Sequence, residues 1–271
     1  MRTICFLSDY GLEDAFVGVC HGVIKRINPQ AALIDISHGV PAHDVFAGAL
    51  MLRDTLPYMP AQAVHLAVVD PGVGSGRRAV ALRSRGDRLF VGPDNGLLTL
   101  AAAADGGVTA AAELNDRSFW LEPVSSTFHG RDIFAPVAAG LAAGLGLAQV
   151  GRPLDPSALR QLSLPGPRIT EGGAVAAVIQ VDRFGNLALD LTARELEAAG
   201  LRGELEILCR GQRRFVAQSV TTFCDVPEGL VAVLVDSFGH VAICVNGGSA
   251  AQTLSVGTGD VVGLTRRQAR G

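Results

Sequence analysis

Apolar and polar positions fall into two regimes along the chain. Through roughly the first 165 residues, short uninterrupted apolar runs alternate with segments of helical period. TICFLS (3–8), AALIDIS (31–37) and AVHLAVVD (63–70) read as strands of a sheet covered on both faces. Between the first two, EDAFVGVCHGVIKRI places Phe16, Val17, Cys20, Val23, Ile24 and Ile27 on one helical face, and DVFAGALMLRDTL supplies the next helix. AVALRS and RLFVG follow as strands, the second closed by a Pro-Asp-Asn-Gly turn, and RDIFAPVAAGLAAGLG as a helix with Pro136 near its start. The expected first domain, 1–165, is therefore α/β, with a central mostly parallel sheet flanked by helices.

LSLPGPRITEGG (162–173) breaks this pattern and reads as a linker. Beyond it AVAAVIQVD, ELEILC, RRFVAQSV, LVAVLVD, HVAICV and DVVGLT are strand candidates, interrupted by one short helix, TARELEAAG. A smaller β-rich domain over 172–271 is expected, and no internal repeat is read.

Composition narrows the chemistry. A formal net charge of −3 gives no general attraction to nucleic acid or anionic membranes. Lys25 is the only lysine, which leaves almost no room for Schiff-base chemistry or a lysine-bearing phosphate loop. The five cysteines show no CxxC spacing and read as free thiols in a reducing compartment. With no signal-peptide pattern at MRTICFLSDYG and no apolar stretch of the ~20 residues a spanning helix needs, a cytoplasmic protein is expected.

Candidate chemistry sits where predicted strands end. Asp9 and Asp70 each close an apolar run, and the carboxyl ends of strands in an open α/β sheet are where ligands bind; each also has the simpler reading of a turn or helix cap. In VVDPGVGSGRR the glycines lead into Arg77, Arg78 and another strand, so a dinucleotide fingerprint is a weak reading. STFHGRDIFAP puts His129 at a helix start beside Arg131 and Asp132, a pair that also reads as a local ion pair. His21, His65 and His240 read as structural, whereas His38 and His43 are candidates for a pocket wall. Strand alternation in VDRFGNL would point Asp182, Phe184 and Asn186 to one side, able to bond and stack against a flat heterocycle; a turn around Gly185 is the competing reading. DSFGHVAICVNGGSA adds Ser237 and a small-residue loop, 246–249.

LSDYG, IDISH, VVDPGVGSGRR, FVGPDNG, STFHGRDIFAP, VDRFGN and DSFGHVAICVNGGSA, in this order over nearly the whole chain, resemble the S-adenosylmethionine hydroxide adenosyltransferase family, related to the fluorinase and chlorinase. The resemblance implies a homotrimer with active sites between subunits. It further implies a catalytic set of Asp70, Arg77 and His129, where the fluorinase has other residue types. Asp9 would hold the ribose hydroxyls, Asp182, Phe184, Asn186 and Ser237 would line the adenosine and methionine site, His43 would form a wall, and Gly247 would meet adenine by its backbone. Asp236 stands where the family usually has Asn. The implied reaction is attack of a water-derived oxygen on ribose C5′ of S-adenosylmethionine, which is substrate; neither metal nor redox cofactor is expected. The rivals are a halide-using adenosyltransferase, a non-catalytic nucleoside-binding trimer, and a metal-dependent phosphohydrolase drawing on Asp9, His38, Asp44, Asp70 and His129.

Overall fold

The computed structural model describes residues 2–209 and 213–267, which divide into two compact units at Ser163/Leu164. In the first, β1 (Ile4–Ser8), β2 (Leu33–Ser37), β3 (Val64–Val68), β4 (Ala79–Ser84), β5 (Leu89–Pro93), β6 (Val108–Glu113) and β7 (Arg152–Leu154) form one sheet in the order β2-β1-β3-β5-β4-β6-β7. Alternate residues of its apolar strands feed two cores. Ile4, Phe6, Val64, Leu66 and Val68 pack with α1 (Phe16–Ile27) and α4 (Ala135–Ala143), while Leu7, Ala67 and Val69 pack with α2 (Val45–Thr55) and α3 (Thr99–Ala104). An uninterrupted apolar strand is thus a strand between two helical layers.

The expectation of a mostly parallel sheet is corrected: the sheet is mixed. β2, β1, β3 and β5 run parallel, but β4, β6 and β7 are joined by antiparallel pairs. The reason is local. Only residues 85–88 separate β4 from β5, enough for a hairpin and far too few for a parallel crossover. β2 also departs from its reading as a strand covered on both faces, because it is an edge and half-exposed. The first helix begins at Phe16, and Phe16 and Ile27 remain exposed while Val17, Cys20, Val23 and Ile24 are buried.

The second unit contains β8 (Arg168–Thr170), β9 (Gly173–Val181), β10 (Leu187–Thr192), β11 (Glu204–Leu208), β12 (Arg214–Ser219), β13 (Val231–Val235), β14 (His240–Val245) and β15 (Val261–Arg266). The order β10-β14-β13-β12-β11-β15-β9, together with a β9–β10 pairing, closes the sheet into a barrel-like ring. Two short helices, α5 (Ala193–Ala198) and α6 (Ala250–Leu254), pack on it, and Leu187, Leu189, Ile207, Val233 and Ile243 are among its buried core. Part of the linker reading is revised as well, since 168–170 pairs as β8 with β9.

Among the described residues no helix is long and apolar enough to cross a membrane. Cys5, Cys20, Cys209 and Cys244 are buried free thiols and Cys224 is an exposed one.

Candidate active site

In the first unit the site grows from two neighbouring parallel strands. β1 and β3 pair with Ser8 opposite Val68, so Asp9 and Asp70 leave the same sheet edge side by side. Asp70 is followed by the tight turn 71–76, which returns the chain so that Arg77 grips the carboxylate it has just left. Arg77 Nε donates to Asp70 Oδ1 and Oδ2 at 2.9 and 3.0 Å, and Nη2 donates to Oδ2 at 2.5 Å. The side chains of Arg77 and Asp70 are only 10% and 6% exposed, so this is a buried, bidentate, charge-assisted pair.

The same Nη2 lies 2.7 Å from Nδ1 of His129. A guanidinium has no acceptor, so His129 Nδ1 must offer its lone pair, and the neutral ring carries its proton on Nε2. Burial is the first cause holding the His129 pKa below its ordinary 6.5, and the Arg77 charge is the second; Asp70 and Asp132 pull the other way. The Arg77 guanidinium also lies over the Phe134 ring, 5.1 Å from its centroid.

Glycines permit these approaches. Gly74 has φ +74°, and a Cβ there would overlap the carbonyl of Ser126, in the loop leading to His129. The glycine-rich turn therefore serves to seat one loop on another. His129 immediately precedes a π-helical turn, Gly130–Phe134, that opens into α4. A Cβ on Gly130 would overlap the hydroxyl of Tyr10. Arg131 and Asp132 are ion-paired at 2.6 Å, and the fully buried Asp132 carboxylate accepts Ser125 N–H at 2.8 Å, tying the preceding loop down.

Asp9, Tyr10, His43, Asp70, Thr127 and His129 are among the residues lining a cavity of about 220 Å³. Arg77 lines instead a neighbouring cavity of about 320 Å³, with His129 bordering both. Asp9 Oδ2 accepts the backbone N–H of His43 at 2.9 Å, and His43 adopts φ +67° just ahead of α2, whose N-cap is Asp44. Tyr10 packs on Phe16 and Phe128, each 5.7 Å away by ring centroid, and burial raises its hydroxyl pKa well above the ordinary 10.0. Sequence reasoning passed over Tyr10 and Thr127; the Tyr beside Asp9 at a strand end was the available signal.

His38 does not line this cavity, contrary to expectation. It is buried edge-on to Phe6, with Nδ1 2.7 Å from Ser8 Oγ. His65 is fully buried against Phe90, and burial lowers its pKa to about 4. Of the residues of the phosphohydrolase reading, Asp9, Asp70 and His129 share the cavity, whereas Asp44 caps α2 and His38 faces Ser8, so the five do not form one ligand set.

In the second unit Asp182, Phe184, Asn186 and Ser237 line one cavity of about 390 Å³. They do so by a different device from strand alternation. β9 ends at Val181 and β10 starts at Leu187, and between them Asp182 Oδ1 accepts the N–H groups of Phe184 (2.8 Å) and Asn186 (2.9 Å) while Asn186 Nδ2 donates to Oδ2 (2.7 Å). The turn between β13 and β14 repeats this plan. Asp236 Oδ1 accepts from Phe238 N at 2.8 Å and His240 N at 2.9 Å, and Gly185 and Gly239 have φ of +84° and +87°. The DRFGN and DSFGH segments are thus one D-x-F-G turn used twice, a short internal repeat that the reading of the chain missed. Its reliance on a single carboxyl oxygen also resolves the Asp236 departure, because a carboxamide oxygen could accept the same bonds. The two turns stand at opposite ends of the β10–β14 pair, with Ala188 and Ala242 on the cavity wall between them. Phe184 and Phe238 are 76% and 51% exposed, large apolar rings standing at the cavity. Gly247 lies in an adjoining cavity of about 490 Å³ that shares Phe184 and Asn186.

Comparison with known proteins agrees with this division. Residues 4–151 match the SAM hydroxide adenosyltransferase N-terminal domain and residues 176–263 the C-terminal domain of the same family. An (R)-S-adenosyl-L-methionine hydrolase of Salinispora tropica is 52% identical over 264 residues, covering 97% of each chain. A fluorinase of Actinoplanes sp. is 29% identical, again over 97% of each chain. The crystal structure of an uncharacterized conserved protein from Thermotoga maritima superposes with a TM-score of 0.92 at 38% identity, covering 97% of this chain and 100% of the other.

Proposed function

The chain belongs to the SAM hydroxide adenosyltransferase family, and from that premise we propose that it hydrolyses S-adenosyl-L-methionine to adenosine and L-methionine. The observation that carries this reading is the hydrogen-bonded Asp70–Arg77–His129 set, of which Asp70 and His129 line the cavity. Water, with a bulk pKa of about 15.7, must lose a proton as it attacks. Because Arg77 occupies Nδ1, His129 presents Nε2–H and acts as a donor to the water oxygen, and Asp70 is the proton acceptor. Oxygen then bonds to C5′, the C–S bond breaks, and its electron pair goes to sulfur, which leaves as the neutral thioether of methionine.

Arg77 is a positioning residue. Its charge holds Asp70 and His129 in register and favours hydroxide character between them. Asp9 receives the ribose hydroxyls beside the His43 wall, which helps align oxygen, carbon and sulfur. Aromatic lining from Tyr10 and Phe16 solvates the sulfonium less well than water does, an advantage at the transition state because that charge is disappearing. Adenosine and methionine contact Asp182, Phe184, Asn186 and Ser237, with the Gly247 backbone against adenine. The active unit is a cytoplasmic homotrimer with its sites between subunits, and it requires neither metal nor redox cofactor for the chemistry.

A halide-using reaction is disfavoured by Asp70 itself, since an anionic carboxylate on the wall accepts a water proton but repels a halide. The test is chromatography of the purified protein incubated with S-adenosylmethionine, with and without chloride, beside His129→Ala. Adenosine and methionine in equal amounts, independent of chloride and strongly reduced in the variant, support the reading. A halogenated nucleoside, or retained adenosine without turnover, overturns it in favour of the halide enzyme or the binding protein.

A further inference from the structure

Behind the active-site cavity, three side chains from separate elements converge. His21 of α1 places Nε2 2.9 Å from Oδ1 of Asp35 on the edge strand β2, and His38, just after β2, places Nε2 3.1 Å from the same oxygen. The three ligand atoms all lie within 4.8 Å of one another, and they form the one such group of histidine, cysteine and acidic side chains among the described residues.

His38 is the decisive member. Its side chain is only 3% exposed, yet Nε2 has no hydrogen-bond partner despite its closeness to Asp35, because the geometry does not make a bond. Its other nitrogen is accounted for by Ser8 Oγ at 2.7 Å, an oxygen that also accepts Tyr10 N–H at 3.3 Å. Ser8 Oγ can accept Nδ1–H, and in that tautomer Nε2 presents a bare lone pair toward an anionic oxygen. Two electron-rich atoms held 3.1 Å apart, one on a ring only 3% exposed, are placed to share a cation. A metal-bound histidine usually gives its other ring N–H to an oxygen acceptor, a place the Ser8 hydroxyl oxygen can take.

We propose that His21, Asp35 and His38 bind a first-row transition dication of the zinc type, at a site distinct from the catalytic set. The donors decide the class: two imidazoles and one carboxylate suit zinc, cobalt or nickel, whereas magnesium and calcium take oxygen ligands. The spacing suits it too, because ligand atoms around an ion with bonds of ~2.0–2.1 Å stand about 3–3.5 Å apart. Asp35 and His21 are partly solvent-exposed, so water completes the coordination from outside. The ion joins α1, β2 and the loop after β2, whose His38 carbonyl accepts Gly11 N–H at 2.8 Å, two residues beyond Asp9. Its role is therefore to brace the strand end that carries Asp9, and the proposal stands whether or not the chain hydrolyses S-adenosylmethionine.

The test is titration of the full chain, after dialysis against a chelator, with Zn²⁺, Co²⁺ and Mg²⁺ separately, reading bound metal by equilibrium dialysis, the melting temperature, and the visible spectrum of Co²⁺. One equivalent of Zn²⁺ or Co²⁺ per chain, a raised melting temperature, no response to Mg²⁺, and at least about tenfold weaker binding in His21→Ala and in the near-isosteric Asp35→Asn would support the site. No stoichiometric uptake, or uptake undiminished in both variants, overturns it and leaves the three residues a hydrogen-bonded cluster.

Discussion

Replacing Arg77 by lysine keeps the charge and removes the fork. In the native site one guanidinium serves both oxygens of Asp70 and the His129 ring through contacts of 2.5–3.0 Å. An ammonium is a compact point charge that cannot reproduce this planar fork, so one or two of these bonds are lost. Buried bonds to charged groups are each worth about 1.5–3 kcal/mol, and a loss of about 2–4 kcal/mol at the transition state corresponds to roughly 30- to 1,000-fold in kcat. Arg77→Met removes the charge as well, and its effect on pH dependence has a definite sign. The native Arg77 charge helps hold the His129 pKa below 6.5, so its removal leaves Asp70 and Asp132 to raise it. The acid limb of kcat/KM, below which His129 is protonated and Nδ1 no longer an acceptor, must then move to higher pH; in Arg77→Lys it should stay near the native position. The assay is adenosine release across pH 4 to 9, on variants shown by melting to be folded, because Met leaves Asp70 buried without its partner. Native kcat in Arg77→Lys, or an acid limb that is unmoved or lower in Arg77→Met, would refute the assignment of Arg77 as the residue that sets the His129 tautomer.

Three further outcomes are expected. Gly130→Ala should lower both stability and kcat by driving a methyl into the Tyr10 hydroxyl, at a cost of about 1–3 kcal/mol, and Tyr10→Phe should partly rescue it in a double-mutant cycle; additive losses would deny the contact. Phe184→Ala should raise KM for S-adenosylmethionine by about 5- to 100-fold with a smaller change in kcat if the exposed ring stacks on the base, and an unchanged KM would remove it from the binding site. Folding stability should fall with pH between about 6.5 and 4, because the unfolded His65 binds a proton near its ordinary value while the buried ring resists it down to about 4. The stabilisation is complete above 6.5, its loss approaches about 3 kcal/mol at the low end, and denaturant midpoints of His65→Phe should show a shallower decline over that window.

What could be read in the chain followed from how strongly one local rule acts. Asp9 and Asp70 were legible because an acid closing a buried strand has little else to do, and the two strands proved to be neighbours. The mixed sheet was not legible as such: β6 (VTAAAE) and α3 (TLAAAA) are alanine-rich runs whose hydrophobic period is too weak to separate strand from helix, and without β6 the hairpin of β4 and β5 had no recognised partner on its far side. His38 misled for a related reason. Loop position suggests exposure, but its ring turns inward to Ser8 and Phe6, a tertiary choice that spacing does not encode. Asp182, Phe184 and Asn186 do share a cavity, but by a different geometry from the expected one. Strand alternation predicted a shared direction, whereas a carboxylate gathering backbone N–H groups bends the chain so that all three line the cavity.

The duplicated D-x-F-G turn has a consequence for how this cavity can change over evolution or in the laboratory. In each copy one carboxyl oxygen gathers the backbone N–H groups of the third and fifth residues around a left-handed glycine, and in the first copy the Asn186 amide also donates to the second oxygen. Arg183 and Ser237 occupy the second slot, and Asn186 and His240 the fifth. Of these, Asn186 and Ser237 line the cavity: ligand preference can drift at those two positions while the backbone bonds that hold the aromatic rings stay in place.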